Sequence, residues 1–193
     1  MLRYTSTLKE MPLLFNEMRK VASLKVNGFD DKTIIQQSET ENIFQVVKER
    51  RKRDLATKML TRLKSLSPEL LNVLANGNIE TAKAVALYAL LHVDLLFFEF
   101  FKEVYADRYS TGEHFISDSD FFVFFHRKAE TSEIVANWKD NNLRQLRNAY
   151  KKAMLESGFA KKVNNGLEIT PPLIEKEVAK LFSEQHKKAM CLE

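Results

Sequence analysis

Cysteine is almost absent. The 193-residue chain has one, Cys191, so no intramolecular disulfide can form, and the expected setting is a reducing, cytoplasmic one. Long apolar runs are missing too. The longest unbroken one, Ala84 to Leu91, is far shorter than the roughly 20 residues a spanning helix needs. The wider stretch AVALYALLHVDLLFFEFF, Ala84 to Phe101, encloses His92, Asp94 and Glu99. A carboxylate near a bilayer centre costs about 2.5–3.5 kcal/mol, so this segment is expected to be the buried central helix of a soluble protein, with no integral membrane insertion. The opening MLRYTSTLKEMPLLF has no apolar core of signal-peptide length before Lys9 and Glu10, and no secretory leader is expected. The final Leu192-Glu193 pair is given no functional weight.

Signatures of catalysis are also lacking. His92, His114, His126 and His186 are scattered without ligand spacing, and there is no HExxH, no CxxC and no phosphate-cradling glycine loop. Asp118 and Asp120 have the form of a metal-binding DxD, but their place just before an apolar helix reads as capping. Neither enzymatic activity, nor a cofactor, nor a metal site is expected. The phenylalanines crowd between Phe97 and Phe125, where paired aromatics beside leucines read as core.

What remains is ordinary globular material, 45% hydrophobic and 29% charged, with a length that suits one compact domain over 1–193. Three sub-regions are expected: N-terminal helices with a basic helix (1–77), aromatic-rich core helices (78–129) and a C-terminal part (130–193). The five glycines and four prolines punctuate the chain. Pro12 is expected to open a helix that closes before Gly28, and Asp30 to cap a short one through Gln37. A long helix follows from about Val46 to Leu66, then one from Ser67-Pro68 to Gly77. The spine is expected as one helix from about Ile79 to Tyr109. Ser117 then starts another, followed by helices over about Thr131–Trp138 and Asp140–Ser157, the last stopped by Gly158. Asn164-Asn165-Gly166 signals a hairpin turn, and Thr170-Pro171 caps a final helix through Leu181. The fold class is all-α, a mainly helical bundle, with a small C-terminal β-hairpin.

Charge is concentrated. Lys48, Arg50, Arg51, Lys52, Arg53, Lys58, Arg62 and Lys64 face only Glu49 and Asp54 in their segment. Lys139, Arg144, Arg147, Lys151, Lys152, Lys161 and Lys162 face only Asp140 and Glu156 in theirs. With a net charge of +4, the rest of the chain is strongly acidic, and two basic patches on an acidic body point to a polyanion. Arg51, Lys58 and Arg62 share a helical stripe, and Arg144, Arg147 and Lys151 form a row beside the apolar Leu143, Leu146 and Tyr150. Helix, turn, basic helix and hairpin is also the order of a winged helix-turn-helix. The candidate DNA contacts are therefore Arg50, Arg51, Lys52, Arg53, Lys58 and Arg62, together with Arg144, Arg147, Lys151, Lys161 and Lys162. A solvated basic face has the same composition, and neither patch is a sequence-specific motif.

The order of motifs resembles the BrxA family of bacterial BREX phage-exclusion systems. The residues are Glu41-Asn42-Ile43-Phe44-Gln45 before the basic helix, the junction Arg62-Leu63-Lys64-Ser65-Leu66-Ser67-Pro68-Glu69, and Gly77. ISDSDFFVFF and LRQLRNAYKKAMLESGFA extend the likeness over most of the chain. One departure lies near the start, where the family commonly has a glycine after its first Ser/Thr-rich segment and this chain runs Thr7-Leu8-Lys9-Glu10. No backbone contact at that turn is carried over. The resemblance implies a NusB-like helical core and non-catalytic binding of double-stranded DNA, beside other BREX proteins such as the methyltransferase. A protein–protein adaptor, and an RNA-binding protein by analogy with NusB, remain open beside it.

Overall fold

The computed structural model describes residues 3–192; Met1, Leu2 and Glu193 lie outside it. A short 3-10 turn at Thr7–Lys9 precedes α1 (Phe15–Val26), α2 (Asp31–Thr40), α3 (Glu49–Leu63) and α4 (Pro68–Asn76). Two of these start as their caps dictate: Asp30 accepts from Thr33 N–H at 2.7 Å, and Ser67 from Leu70 N–H at 3.3 Å with Pro68 behind it. The other two start late. α1 begins at Phe15 rather than Pro12, because Leu14 enters it left-handed (φ 54°) and has no side-chain cap to offer. Glu156, from a distant helix, accepts from Phe15 N–H at 2.8 Å instead. α3 begins at Glu49 rather than near Val46, because the Asn42 amide bonds both the N–H and the C=O of Val46 at 3.0 Å and holds residues 42–46 in a turn.

The spine is broken in two. α5 (Ile79–Val93) is buried on nearly every side from Thr81 to Leu91. α6 (Leu95–Phe100) then runs through a π-helical turn at Phe101–Tyr105 into α7 (Ala106–Ser110), bent 113° from α5. Asp94 makes the break: its backbone is extended (φ −119°, ψ 93°) and its carboxylate accepts from Phe97 N–H at 3.0 Å, the geometry of an N-cap. No single helix among the described residues is long and apolar enough to cross a membrane. Glu99, the other carboxylate of the stretch, bonds the Tyr4 hydroxyl at 2.8 Å and Lys128 at 2.5 Å. Phe97, Phe100, Phe101, Phe121, Phe124 and Phe125 are all buried, in one cluster with Tyr105 and Tyr150.

The C-terminal part comprises β1 (Phe115–Ser117), α8 (Asp118–Thr131), α9 (Glu133–Ala136), α10 (Asp140–Ser157), β2 (Ala160–Val163), β3 (Gly166–Ile169), α11 (Lys176–Ala179) and α12 (Glu184–Met190). Ser117 and Asp120 form a reciprocal capping box, so this aspartate serves the start of α8. The hairpin forms as expected, but the turn residues are Asn164 and Asn165, and it is Asn165 that takes the left-handed conformation (φ 64°). Gly166 has a different task. A Cβ there would lie 2.5 Å from Ile116 O and from the Phe115 ring, so glycine lets β1 close on β3. The result is an antiparallel sheet of order β1-β3-β2. β1 was not expected, and the single helix expected after Pro171 is replaced by the short α11 and α12.

α12 packs a histidine pair. The His186 and His92 rings stack at 4.0 Å, with Tyr88, Phe98 and Phe182 in the same aromatic group, while Ser183 Oγ bonds His186 Nδ1 at 2.7 Å. Burial, and then the neighbouring His92, hold His186 down at about 4; burial also lowers His92. The unfolded chain therefore takes up protons first as the pH falls, so this stabilisation is complete above about 6.5 and is lost towards pH 4. Buried Asp94, raised to about 6 by desolvation, acts with the opposite sign over much of the same window. The histidine contribution is isolated by comparison: between pH 7.5 and 5, wild type should lose more melting temperature than His186→Phe, which keeps an aromatic ring in the stack. Equal losses would show that the pair does not set the acid response.

Candidate nucleic-acid interface

The basic run on α3 is mostly engaged within the protein. Arg51 donates to Glu10 O at 3.4 Å and Lys58 to Thr7 Oγ1 at 3.3 Å. Arg62 is fully buried and donates to Pro12 O, Leu13 O and Met11 O at 2.8, 2.7 and 2.5 Å. The stripe expected to face phosphates thus grips residues 7–13. Two of the expected contacts are corrected on this ground: Arg62 has no exposed surface, and Lys52 has an 11% exposed side chain paired with Glu49 at 2.6 Å. Arg50 and Arg53 remain exposed, beside Asp54 at 3.6 Å and Glu39 at 3.2 Å respectively. Burial also lowers the Lys58 ammonium below its ordinary range, as suits an ammonium drawn against the body of the protein.

α10 presents a different face. Leu146, Ala149, Tyr150, Ala153 and Met154 are buried, which turns Asn141, Arg144, Gln145, Asn148 and Lys152 outward. On the flank towards α8, Lys151 and Arg147 meet the Asp118 carboxylate, Arg147 at 3.6 Å, and Lys151 also lies over the Phe121 ring at 5.5 Å. The hydrogen bond from Lys151 lowers the Asp118 carboxyl, and the charges of Lys151 and Arg147 act in the same direction. Of the row Arg144, Arg147 and Lys151, only Arg144 is fully exposed. Its guanidinium donates to Asn141 Oδ1 at 2.8 Å.

The hairpin completes the surface. Between it and α10 lies an open groove of about 940 Å³, lined by Asn148, Lys151, Lys152, Lys162 and Asp118 among others. Strand alternation separates the two hairpin lysines. Lys162 shares its ladder position with Leu167 and lines the groove, whereas Lys161 stands opposite Glu168 on the other face. The structure therefore brings Lys152 and Lys162 to one groove with Lys151 tethered at its edge, places Arg144 and Arg147 on the neighbouring groove between α8 and α10, and lines neither groove with a residue of α3. Lys152 was counted in the charged segment but not among the candidate contacts, although its spacing from Asn148 and Gln145 already placed it on their ridge. The tether through Asp118 left no local sequence signal. Phe122 on α8 is 72% exposed, above a second groove of about 500 Å³ that Phe121, Phe125 and Leu143 line with Arg144. Among the described residues no cluster of His, Cys, Asp or Glu is placed to hold a metal.

A mainly helical body carrying a β-α-α-α-β-β unit, with cations on the third helix and hairpin of that unit, is the class this fold defines. The BrxA family matches residues 2–186, and the chain belongs to that family. It is 41% identical over 175 residues to the BREX protein BrxA of Bacillus cereus (strain H3081.97), covering 91% of this chain and 88% of that protein. Membership places it in an accessory role in phage defence. The crystal structure of an uncharacterized protein from Magnetospirillum magneticum has the same fold, with a TM-score of 0.80 over 98% of this chain and 96% of that one at 19% identity.

Proposed function

We propose that this protein is a non-catalytic, cytoplasmic, DNA-binding component of its BREX system, and that it holds double-stranded DNA on the α10–hairpin face. The observation that carries this reading is an open groove in which Asn148 and Lys152, at the end of an exposed polar ridge on α10, meet Lys162 of the hairpin. The connectivity supports it. In a winged helix-turn-helix a strand precedes two helices and a hairpin, the second helix enters the major groove and the hairpin touches the backbone. Here β1, α8, α10 and β2–β3 take those places, with sheet order β1-β3-β2 and the short α9 in the turn. Phosphate neutralisation supplies most of the affinity, and partners such as the BREX methyltransferase are reached from other surfaces.

The test is fluorescence anisotropy of labelled duplex DNA, single-stranded DNA and RNA over a salt series. Each phosphate neutralised adds about −0.9 to the log–log slope, so three or four contacts from this face give a slope near −3 for duplex. Duplex should bind more tightly than either single strand. No duplex binding near about 100 mM salt would end this reading, and a preference for RNA would transfer the face to a NusB-like role. One observation favours a protein–protein adaptor instead: two large apolar side chains of α8, Phe122 and Val123, are exposed. Co-purification with the methyltransferase that survives nuclease treatment, in the absence of duplex affinity, would establish that alternative.

A further inference from the structure

We infer that the outer ridge of α10 reads base edges, so that binding is sequence-selective rather than confined to phosphates. This rests on the α10–hairpin face being a duplex-DNA site. The chemistry of the ridge is the argument. A face that only neutralises phosphates needs lysine and arginine, yet between Asn141 and Asn148 the exposed side chains are three amides and one guanidinium. These are the groups that make bidentate contacts in the major groove: arginine to O6 and N7 of guanine, asparagine or glutamine to N6 and N7 of adenine. At about 100° per residue, positions 141, 144, 145 and 148 fall within an arc of about 100° on the side away from Leu146 and Tyr150.

Availability is the second argument. The side chains of Gln145 and Asn148 are exposed and make no hydrogen bond among the described residues, and Arg144 has no acidic partner there. The neighbouring Asn142 is unlike them, because it accepts from Lys9 and sits against the body of the protein. Asn141 accepts from Arg144 Nη2 and so holds that guanidinium along the ridge. From 141 to 148 the helix advances about 10 Å, the length of about three base-pair steps. Lys152 and Lys162 lie at the far end of the ridge, where they can meet backbone phosphates and set the depth of the helix in the groove. The assignment is Arg144 to a guanine, and Gln145 and Asn148 to adenines within the same short motif.

The test is selection of a randomised duplex pool by the full chain at about 150 mM salt, followed by affinity measurements on the enriched and a scrambled duplex. A motif of about three or four base pairs containing guanine and adenine should emerge. Gln145→Ala and Asn148→Ala should each cut the preference for it by about 5- to 100-fold, with scrambled-duplex affinity within about twofold and the salt slope unchanged. Duplex binding without any enriched motif would overturn this inference and leave the proposed function standing. Absence of duplex binding would overturn both. Enrichment that persists in the combined Gln145→Ala/Asn148→Ala variant would take base reading away from this ridge. Both side chains are exposed, and thermal melting confirms that the variants fold.

Discussion

Arg62→Ala is expected to destabilise the protein by about 3–5 kcal/mol, the usual cost of taking one partner out of a buried charged network. The guanidinium has no exposed surface and serves three consecutive carbonyls, Met11, Pro12 and Leu13, which no helix or strand pairs. Alanine would leave those acceptors inside the protein without donors, open a cavity between α3 and α1, and remove positive charge that acts on buried Asp94. Burial already lowers Arg62 to about 10 and raises Asp94 to about 6. Without this cation only the Lys58 ammonium still opposes the effect of burial on Asp94 through charge, so Asp94 is pushed further up, which weakens the carboxylate that caps α6. For a chain of this size each kcal/mol is worth about 2–4 °C, so thermal unfolding should move down by about 6–20 °C. Arg62→Lys keeps the charge but not the fork, and should fall between the two. A melting temperature within about 2 °C of wild type in the alanine variant would show that residues 11–13 find other donors.

That residue also marks the limit of what the sequence made legible. Arg51, Lys58 and Arg62 do share a stripe, as their spacing implied. Periodicity says which residues face together, but not whether a distant irregular segment covers that face. Here the cover comes from residues 7–13, of which the three that accept from Arg62 lie 49 to 51 positions before it. The same distinction sorts the rest of the fold. Caps at Asp30 and Ser67, the box at Ser117, the stop at Gly158 and the hairpin are local, and each formed where its residues stand. The break at Asp94 needed a choice between continuing one helix and capping another, and periodicity alone does not make that choice. β1 is three residues long and exists because Gly166 admits it. In the candidate site, the basic character of α10 was legible, but the difference between its free ridge and its tethered flank was not. In the sequence Asp118 reads as a helix-start residue or half of a DxD, and neither reading points to Lys151 and Arg147, 29 or more positions away.

The tether gives the sharpest comparison of the two basic helices. Arg144→Ala/Lys152→Ala/Lys162→Ala removes three exposed cations from the α10–hairpin face and touches no buried group. If Lys152 and Lys162 each meet one phosphate while Arg144 meets a base, the salt slope should flatten by about 1.8, and affinity at about 100 mM salt should fall by about 10²- to 10³-fold. Arg50→Ala/Arg53→Ala on α3 should change affinity by less than about threefold, because these arginines sit beside Asp54 and Glu39, away from the groove. Asp118→Asn should act in the opposite direction. It removes the carboxylate that occupies Lys151 and Arg147, leaving Lys151 in the same groove and Arg147 on the neighbouring one for incoming phosphates. Tighter duplex binding with a steeper slope is the expected result, and it separates this arrangement from a merely solvated basic surface, where exchanging one acid would leave the slope where it was. Should the α3 pair instead carry the large loss, with the triple variant unchanged, the DNA lies across α3 and the groove beside the hairpin has another use.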